Sequence, residues 1–331
     1  MRLRTWQAWL LRLVGTAGLL VGIFWFIPFA EVAGVLQQVK PGYVAAGFAV
    51  ELTGIYVQAF QLWLLLRRQG LPVGPWQILE INMITRFYGQ FLPSELLAGA
   101  VKLHRLAGPT KQWGEVVASL TLLRLVTMMV LVLLGLLLWA VEMPSGPGRW
   151  AGLVLAGVAA ALALAHVVLV SSTASRMAQR LVPRRGLSWL EGSLVDRGRG
   201  LIRTTVASYR LSSGAVISLG ALAVLRHGLG MLSYGLFALA LGVHLSYVSI
   251  GWIRSVIQVL LMLPISVGGI GVREGSLAVL LQEYGVPASK AVAIAFLLFA
   301  VGLVSNGLGG VLEIRNVLRP RRVGVATRGT E

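Results

Sequence analysis

The chain of 331 residues has no cysteine, one aspartate (Asp196) and only 12% charged residues. Without cysteine there is no disulfide framework, no thiolate nucleophile and no cysteine-ligated metal. The four histidines, His104, His166, His227 and His244, show no ligand spacing, and no glycine-rich phosphate loop ending in lysine occurs. Nor is there a serine–histidine–aspartate set or a paired-carboxylate metal site. No catalytic residue, metal or cofactor is expected. The scarcity of charge also excludes an ordinary soluble domain, which carries about 25% charged residues.

What the chain does have is apolar length. Hydrophobic residues make up 56% of it and the mean hydropathy is +0.80. Runs long enough to cross about 30 Å of hydrocarbon recur along it. Six read as full spans: Leu13 to Ala30, Tyr43 to Leu66, Val116 to Trp139, Trp150 to Val170, Gly214 to Leu241 and Ala291 to Leu312. Two more apolar regions are interrupted, Gln77 to Val101 by FLPSELLAGA and Leu245 to Leu281 by LPISVGGIGV. The expected fold class is therefore an all-α polytopic membrane protein with eight hydrophobic segments, two of them re-entrant broken-helix hairpins.

The net charge of +17 would suggest nucleic acid on a soluble protein. Here the basic residues sit in short segments beside apolar runs, as in positive-inside topology, and no nucleic acid is expected. If both broken segments re-enter, the first from the cytoplasm and the second from outside, 21 basic residues lie inside. Only Lys40, Arg149 and Lys290 then lie outside. That count places both termini in the cytoplasm, with the protein in the inner membrane. Residues 171–211 form a basic cytoplasmic connection with eight arginines, read as amphipathic helix on the leaflet, and residues 316–331 a disordered basic tail.

A shift of 171 residues carries Leu92-Pro93 onto Leu263-Pro264, the second span onto the fifth and the third onto the sixth. The expectation is one membrane domain over 1–315, built as an inverted repeat with halves at about 13–139 and 150–312. In such a plan broken helices meet near the midplane and form the substrate site.

Candidate site residues cluster at the two breaks. In LPISVGGIGVREGS, Pro264 stops the helix, while Gly268, Gly269 and Gly271 accept backbone angles that other residues refuse. The helix restarting near Val272 should expose free N–H groups and a positive dipole end beside Ser266, Arg273 and Glu274. That combination suits phosphate, with Glu274 placed to pair with Arg273 or to take a proton or an amine. In FLPSELLAGAVKLHR, Pro93 and Ser94 mark the break, Glu95 stands at the restart and Lys102 follows about two turns later. Isolated intramembrane charges complete the set: Glu51, Arg86 and Arg124, with Glu80, Arg226 and Arg254 beside them. Such groups are costly in hydrocarbon and normally face the bundle interior or a wet cavity.

At these two breaks the chain resembles the lysylphosphatidylglycerol synthase transmembrane-region family of flippase-like membrane proteins. The resemblance covers roughly residues 10 to 315 and is closest at LPISVGGIGVREGS. It departs from the usual pattern at Leu97-Ala98-Gly99, where relatives often have a glycine pair and an acid, and at Leu123 and Thr127, which often are acids around the arginine. The resemblance implies movement of lipids between leaflets by a stand-alone membrane half, since aminoacyl transfer in the larger synthases belongs to a separate soluble domain. The expected function is a translocase for a phospholipid or lipid-linked headgroup. The alternative is a membrane transferase, or the partner of a separate transferase, acting on a lipid-linked sugar or aminoacyl lipid.

Overall fold

In hydrocarbon no water is available to the backbone, so each N–H and C=O must be satisfied within the segment, which favours helices. The computed structural model describes residues 5–91, 95–170, 213–263 and 266–318, and apart from short turns these are helical. In chain order the α-helices are α1 (Thr5–Phe26), α2 (Phe29–Gln37), α3 (Pro41–Arg68), α4 (Pro75–Phe91), α5 (Glu95–Ala107) and α6 (Trp113–Glu142). They continue with α7 (Arg149–Val170), α8 (Ser213–Ala240), α9 (Tyr247–Leu260), α10 (Val272–Leu281) and α11 (Ala288–Leu318).

Local chemistry sets the ends. Pro41 opens the first turn of α3, where its missing N–H costs nothing. Ser246 caps α9 by accepting the Ser249 N–H at 2.9 Å. α6 stops at Met143, in the left-handed region with φ 48°, ahead of Pro144. Five helices, α3, α6, α7, α8 and α11, are long and apolar enough to cross a membrane. α1 and α2 add a sixth crossing if taken together, but they meet at 83°. The span expected from Leu13 to Ala30 is thus broken: Pro28 has no N–H to continue the ladder and disfavours helical backbone at Ile27. The expected basic connection and nearly all of the tail lie outside the described residues.

The 171-residue shift has a counterpart in packing. α4 lies along α11 and α9 along α6; α3 touches α4 as α8 touches α9; α5 rests on α6 as α10 rests on α11. α3 and α8 form an antiparallel pair in steady register. The Lys40 N–H reaches the Ala240 carbonyl at 2.9 Å. Ser233 donates to the Gly47 carbonyl at 3.2 Å, Arg226 lies over Gly54, and Gln61 donates to the Leu219 carbonyl at 2.7 Å. Seven residues down one helix match seven up the other, so one face of each is committed to the pair.

Two apolar clusters hold the bundle. One joins α9, α10 and α11 to α6 and α7 through Trp252, Ile257, Leu280, Ala293, Val132 and Leu155. The other joins α3, α4, α5 and α6 through Leu62, Leu66, Ile78, Leu106 and Leu122. Aliphatic residues such as Leu133, Leu137, Leu153, Ile217, Val304 and Val311 point outward and exposed, the distribution a lipid-facing surface requires.

Candidate functional site

A cavity of about 420 Å³ lies where these helices converge, within the size range of small-ligand sites. α3 contributes Glu51, Gln58 and Gln61; α4 Arg86 and Gln90; α5 Lys102; α6 Arg124 and Thr127. α8 contributes Arg226, His227 and Tyr234, α9 Arg254 and Gln258, and α11 the stretch from Leu298 to Asn306. Gly268 and Arg273 reach it from the second break.

Glu51 is the electrostatic centre. One of its oxygens, Oε1, accepts from Arg226 Nη2 at 3.2 Å and from Arg86 Nη2 at 3.4 Å. Arg86 also donates Nε–H to Asn306 Oδ1 at 3.2 Å, and Asn306 donates to Gln90 Oε1 at 3.0 Å. A chain of polar contacts thus runs from α3 across α4 and α11, and Gln90 at its end abuts Gly268 of the second hairpin.

Arg254, 4% exposed, is packed against Gly230 and stacks over the Tyr234 ring at 5.7 Å. His227 donates Nε2–H to the Thr127 carbonyl at 2.9 Å, which leaves Nδ1 to face Arg254 Nη1 at 3.5 Å. The cations crowd one another. Lys102 is repelled by Arg86 and Arg124, Arg86 by Arg226, and Arg254 by Arg226. Buried N–H groups at Arg226 Nη1, Arg254 Nε and Arg273 Nη1 have no acceptor among the described residues.

Of the site residues expected from sequence, Glu51, Arg86, Lys102, Arg124, Gly268 and Arg273 share this wall. Gly268, Gly269 and Gly271 all have positive φ, 60°, 77° and 86°, the backbone angles that favour glycine. Only the first is on the wall; Gly269 backs onto Leu261 and Gly271 onto Leu19 of α1. Ser266 is half-buried beside Val267, whose N–H is held by Thr16 Oγ1 of α1 at 2.9 Å. Pro93, Ser94 and Pro264 lie outside the described residues, and Glu95 is the first residue of α5.

Glu274 departs from the expectation most. It is 0% exposed, and its Oε2 accepts the Gly271 N–H at 2.6 Å, the half of a capping box that ties the third helical residue back to the N-cap. One N–H at the restart of α10, that of Gly271, is therefore taken by the chain's own carboxylate, where sequence leads one to expect a free anion-binding end. No ion pair joins it to Arg273 among the described residues.

The amides Gln58, Gln61, Gln90, Gln258 and Asn306 were not singled out by sequence. A signal was there: each amide inside an apolar helix needs a polar partner or a wet wall. Arg226 and Arg254 were flagged as charges, but their convergence on α3 and α8 requires the fold.

No curated protein matches the chain. The family description that does match is "Lysylphosphatidylglycerol synthase TM region", over residues 9–310. That match spans α3 to α10 completely and takes in every described residue of the cavity wall, so this multi-pass membrane protein, with its lipid-related role, belongs to the lysylphosphatidylglycerol synthase transmembrane-region family.

Proposed function

We propose that the protein is a lipid translocase that passes a phospholipid or lipid-linked headgroup between leaflets through this cavity. The observation that carries the reading is the pairing of Lys102 on α5 with Arg273 on α10. These residues are 171 positions apart, one at each break, and both are on the same wall. Phosphate oxygens would bind between them, with the guanidinium fork of Arg273 giving directional contacts that an ammonium alone does not. Arg86 and Arg124 extend the cationic wall, and the amides hold the remaining polar parts of the headgroup.

The matched packing of α3–α6 with α8–α11 supports an inverted repeat over a single membrane domain, with the acyl chains trailing in the bilayer. The distribution of basic residues supports an inner-membrane position with both termini cytoplasmic. The sequence contains no nucleotide-binding motif, so movement would be passive or ion-driven. Hairpin movement, not separation of the chain's two halves, would then change access to the cavity, because α4 is bound to α11 and α9 to α6.

The test is reconstitution with fluorescent lipids and a membrane-impermeant quencher. Intact protein should make nearly all of at least one lipid class quenchable, and Arg273→Ala should restore protection of the inner leaflet while leaving expression and melting temperature unchanged. Protection of every class in the presence of intact protein, with and without a proton gradient, would overturn the reading.

A further inference from the structure

The charge on the cavity wall is predominantly positive. Among the described residues, Arg86, Lys102, Arg124, Arg226, Arg254 and Arg273 face it against the single carboxylate of Glu51. Glu51 is already shared by Arg86 and Arg226 through the same oxygen. Glu274, the acid nearest in sequence to Arg273, is bound through Oε2 to the Gly271 N–H and is not on the wall, while its Oε1 is buried without a partner among the described residues. The neighbouring amides are neutral. A cationic or zwitterionic headgroup would thus bring a positive group to a wall with no described carboxylate free to receive it.

We infer that the ligand of this cavity is a lipid whose headgroup carries at least two negative charges, as a diphosphate or a pair of phosphodiesters does. This rests on reading the cavity as a lipid headgroup site and names the chemistry it selects. Three observations support it independently of that reading. Arg254 is 4% exposed and lines the cavity, yet its Nε has no acceptor. The same holds for buried donors on Arg226 and Arg273. A buried donor without an acceptor costs about 1–3 kcal/mol, more when charged; these donors are enclosed by protein, Arg226 Nη1 against Gly54 and Arg254 Nε against Gly230, so the protein leaves these cations under-compensated and an anion in the cavity offsets their charge. Finally, the cations sit close enough to repel one another in a chain from Lys102 to Arg254. One negative charge relieves part of that repulsion; two, spread over two phosphates, reach both ends of the chain.

The shared chemistry of a lipid bisphosphate and a soluble diphosphate requires a test with both. Full-length protein in mild detergent would be titrated with cardiolipin, phosphatidylglycerol, phosphatidylethanolamine, lysyl-phosphatidylglycerol and inorganic diphosphate, following melting temperature and tryptophan fluorescence. Cardiolipin should bind at least about tenfold more tightly than phosphatidylethanolamine or the lysyl lipid, the value of one charge-assisted hydrogen bond or more. Phosphatidylglycerol should fall between them. Lys102→Gln and Arg273→Gln should each remove most of the preference, whereas neutralising the exposed Arg67 and Arg68 should leave it intact.

Equal or tighter binding of the zwitterionic or lysyl lipid overturns the inference. So does an equal loss from Arg67→Gln with Arg68→Gln, which would mean surface attraction only. Inorganic diphosphate binding as tightly as cardiolipin overturns its lipid part. Should either wall variant melt early without ligand, the ranking of lipids by the unaltered protein still decides. The two readings separate cleanly: a charge preference in binding with no lipid movement in vesicles sustains this inference and defeats translocation. Movement indifferent to headgroup charge does the reverse.

Discussion

Gln90, one residue before the end of α4, and Gly268, in the glycine-rich break before α10, are in close approach: a Cβ on Gly268 would lie 3.0 Å from Gln90 Nε2. The two hairpins therefore meet at a point with little room for a side chain, and on a residue whose φ of 60° already disfavours one. Gly268→Val should cost about 1–2 kcal/mol from backbone strain, read as a lower melting temperature in detergent. It should also displace Gln90 and lower lipid movement beyond the stability loss. A variant as active and stable as the parent would show that the hairpins need not touch.

Glu51 lies between two arginines from different helices. Glu51→Gln removes their shared counter-charge and should destabilise the unliganded protein by about 1–3 kcal/mol, between the costs of losing an exposed and a buried ion pair, since both pairs are part-exposed. The same change makes the wall more positive, so anionic lipid should restore more stability to the variant than to the parent. Melting curves with and without cardiolipin would display the opposite signs, and a variant weaker in both respects would contradict the assigned role.

Gly309 faces the backbone of α4 so closely that a Cβ would stand 2.1 Å from the Met83 carbonyl oxygen. Gly307, two residues earlier in α11, has nothing within 4 Å. Gly309→Ala should destabilise by about 1–3 kcal/mol through overpacking. Gly307→Ala should be neutral or stabilise by up to about 1 kcal/mol through helix propensity. Denaturant or thermal titration of the two variants side by side distinguishes them; equal effects would place the close contact of α4 and α11 elsewhere.

Glu142 and Glu313 also stand 171 residues apart, near the ends of α6 and α11. Glu142 accepts from Ser249 at 2.8 Å and Tyr284 at 3.2 Å; Glu313 accepts from Tyr88 at 2.9 Å and Arg105 at 2.5 Å. Each ties a long helix to the hairpin elements beside it. Removing one tie should open the cavity from one side of the membrane and removing the other from the opposite side. Because the chain has no cysteine, Gln258→Cys would report this without background. Its labelling by an impermeant thiol reagent should rise about tenfold from one side with Glu313→Gln and from the other with Glu142→Gln, the scale of a lost charge-assisted hydrogen bond.

The spans and both breaks are legible in sequence because apolar length and the Pro-Gly pattern act locally. The spacing of 171 residues between the two Leu-Pro pairs is legible too, whereas the place of Lys102 and Arg273 on one wall needs the fold. The meeting of Glu51 with Arg226 is not legible either, since those partners are 175 residues apart and any of the flagged arginines would have satisfied the same charge rule. Pro28 was in plain view within the first span, where hydropathy averaged it away. The bond from the Gly271 N–H to Glu274 is hidden for the opposite reason. A glutamate three residues after a glycine at a helix start fits a capping pattern, but beside Arg273 the same residues equally fit an ion pair.

The packing of α4 on α11 and of α9 on α6 means that the two halves of the chain are clasped, each holding an arm of the other. Neither half on its own would cover its long helix: α6 without α9 and α11 without α4 would present glycine-lined grooves, at Gly135 and at Gly309 and Gly310, to lipid. Yet the only covalent link from α6 to α8 runs through α7 and the stretch following it. Cut there, the polypeptide becomes two fragments with complementary grooves and arms, and the bilayer holds both in the same plane at high local concentration. Co-expressed fragments divided between α7 and α8 should find each other and restore the cavity, whereas either alone should be degraded, as expected of a heterodimer whose subunits happen to be joined.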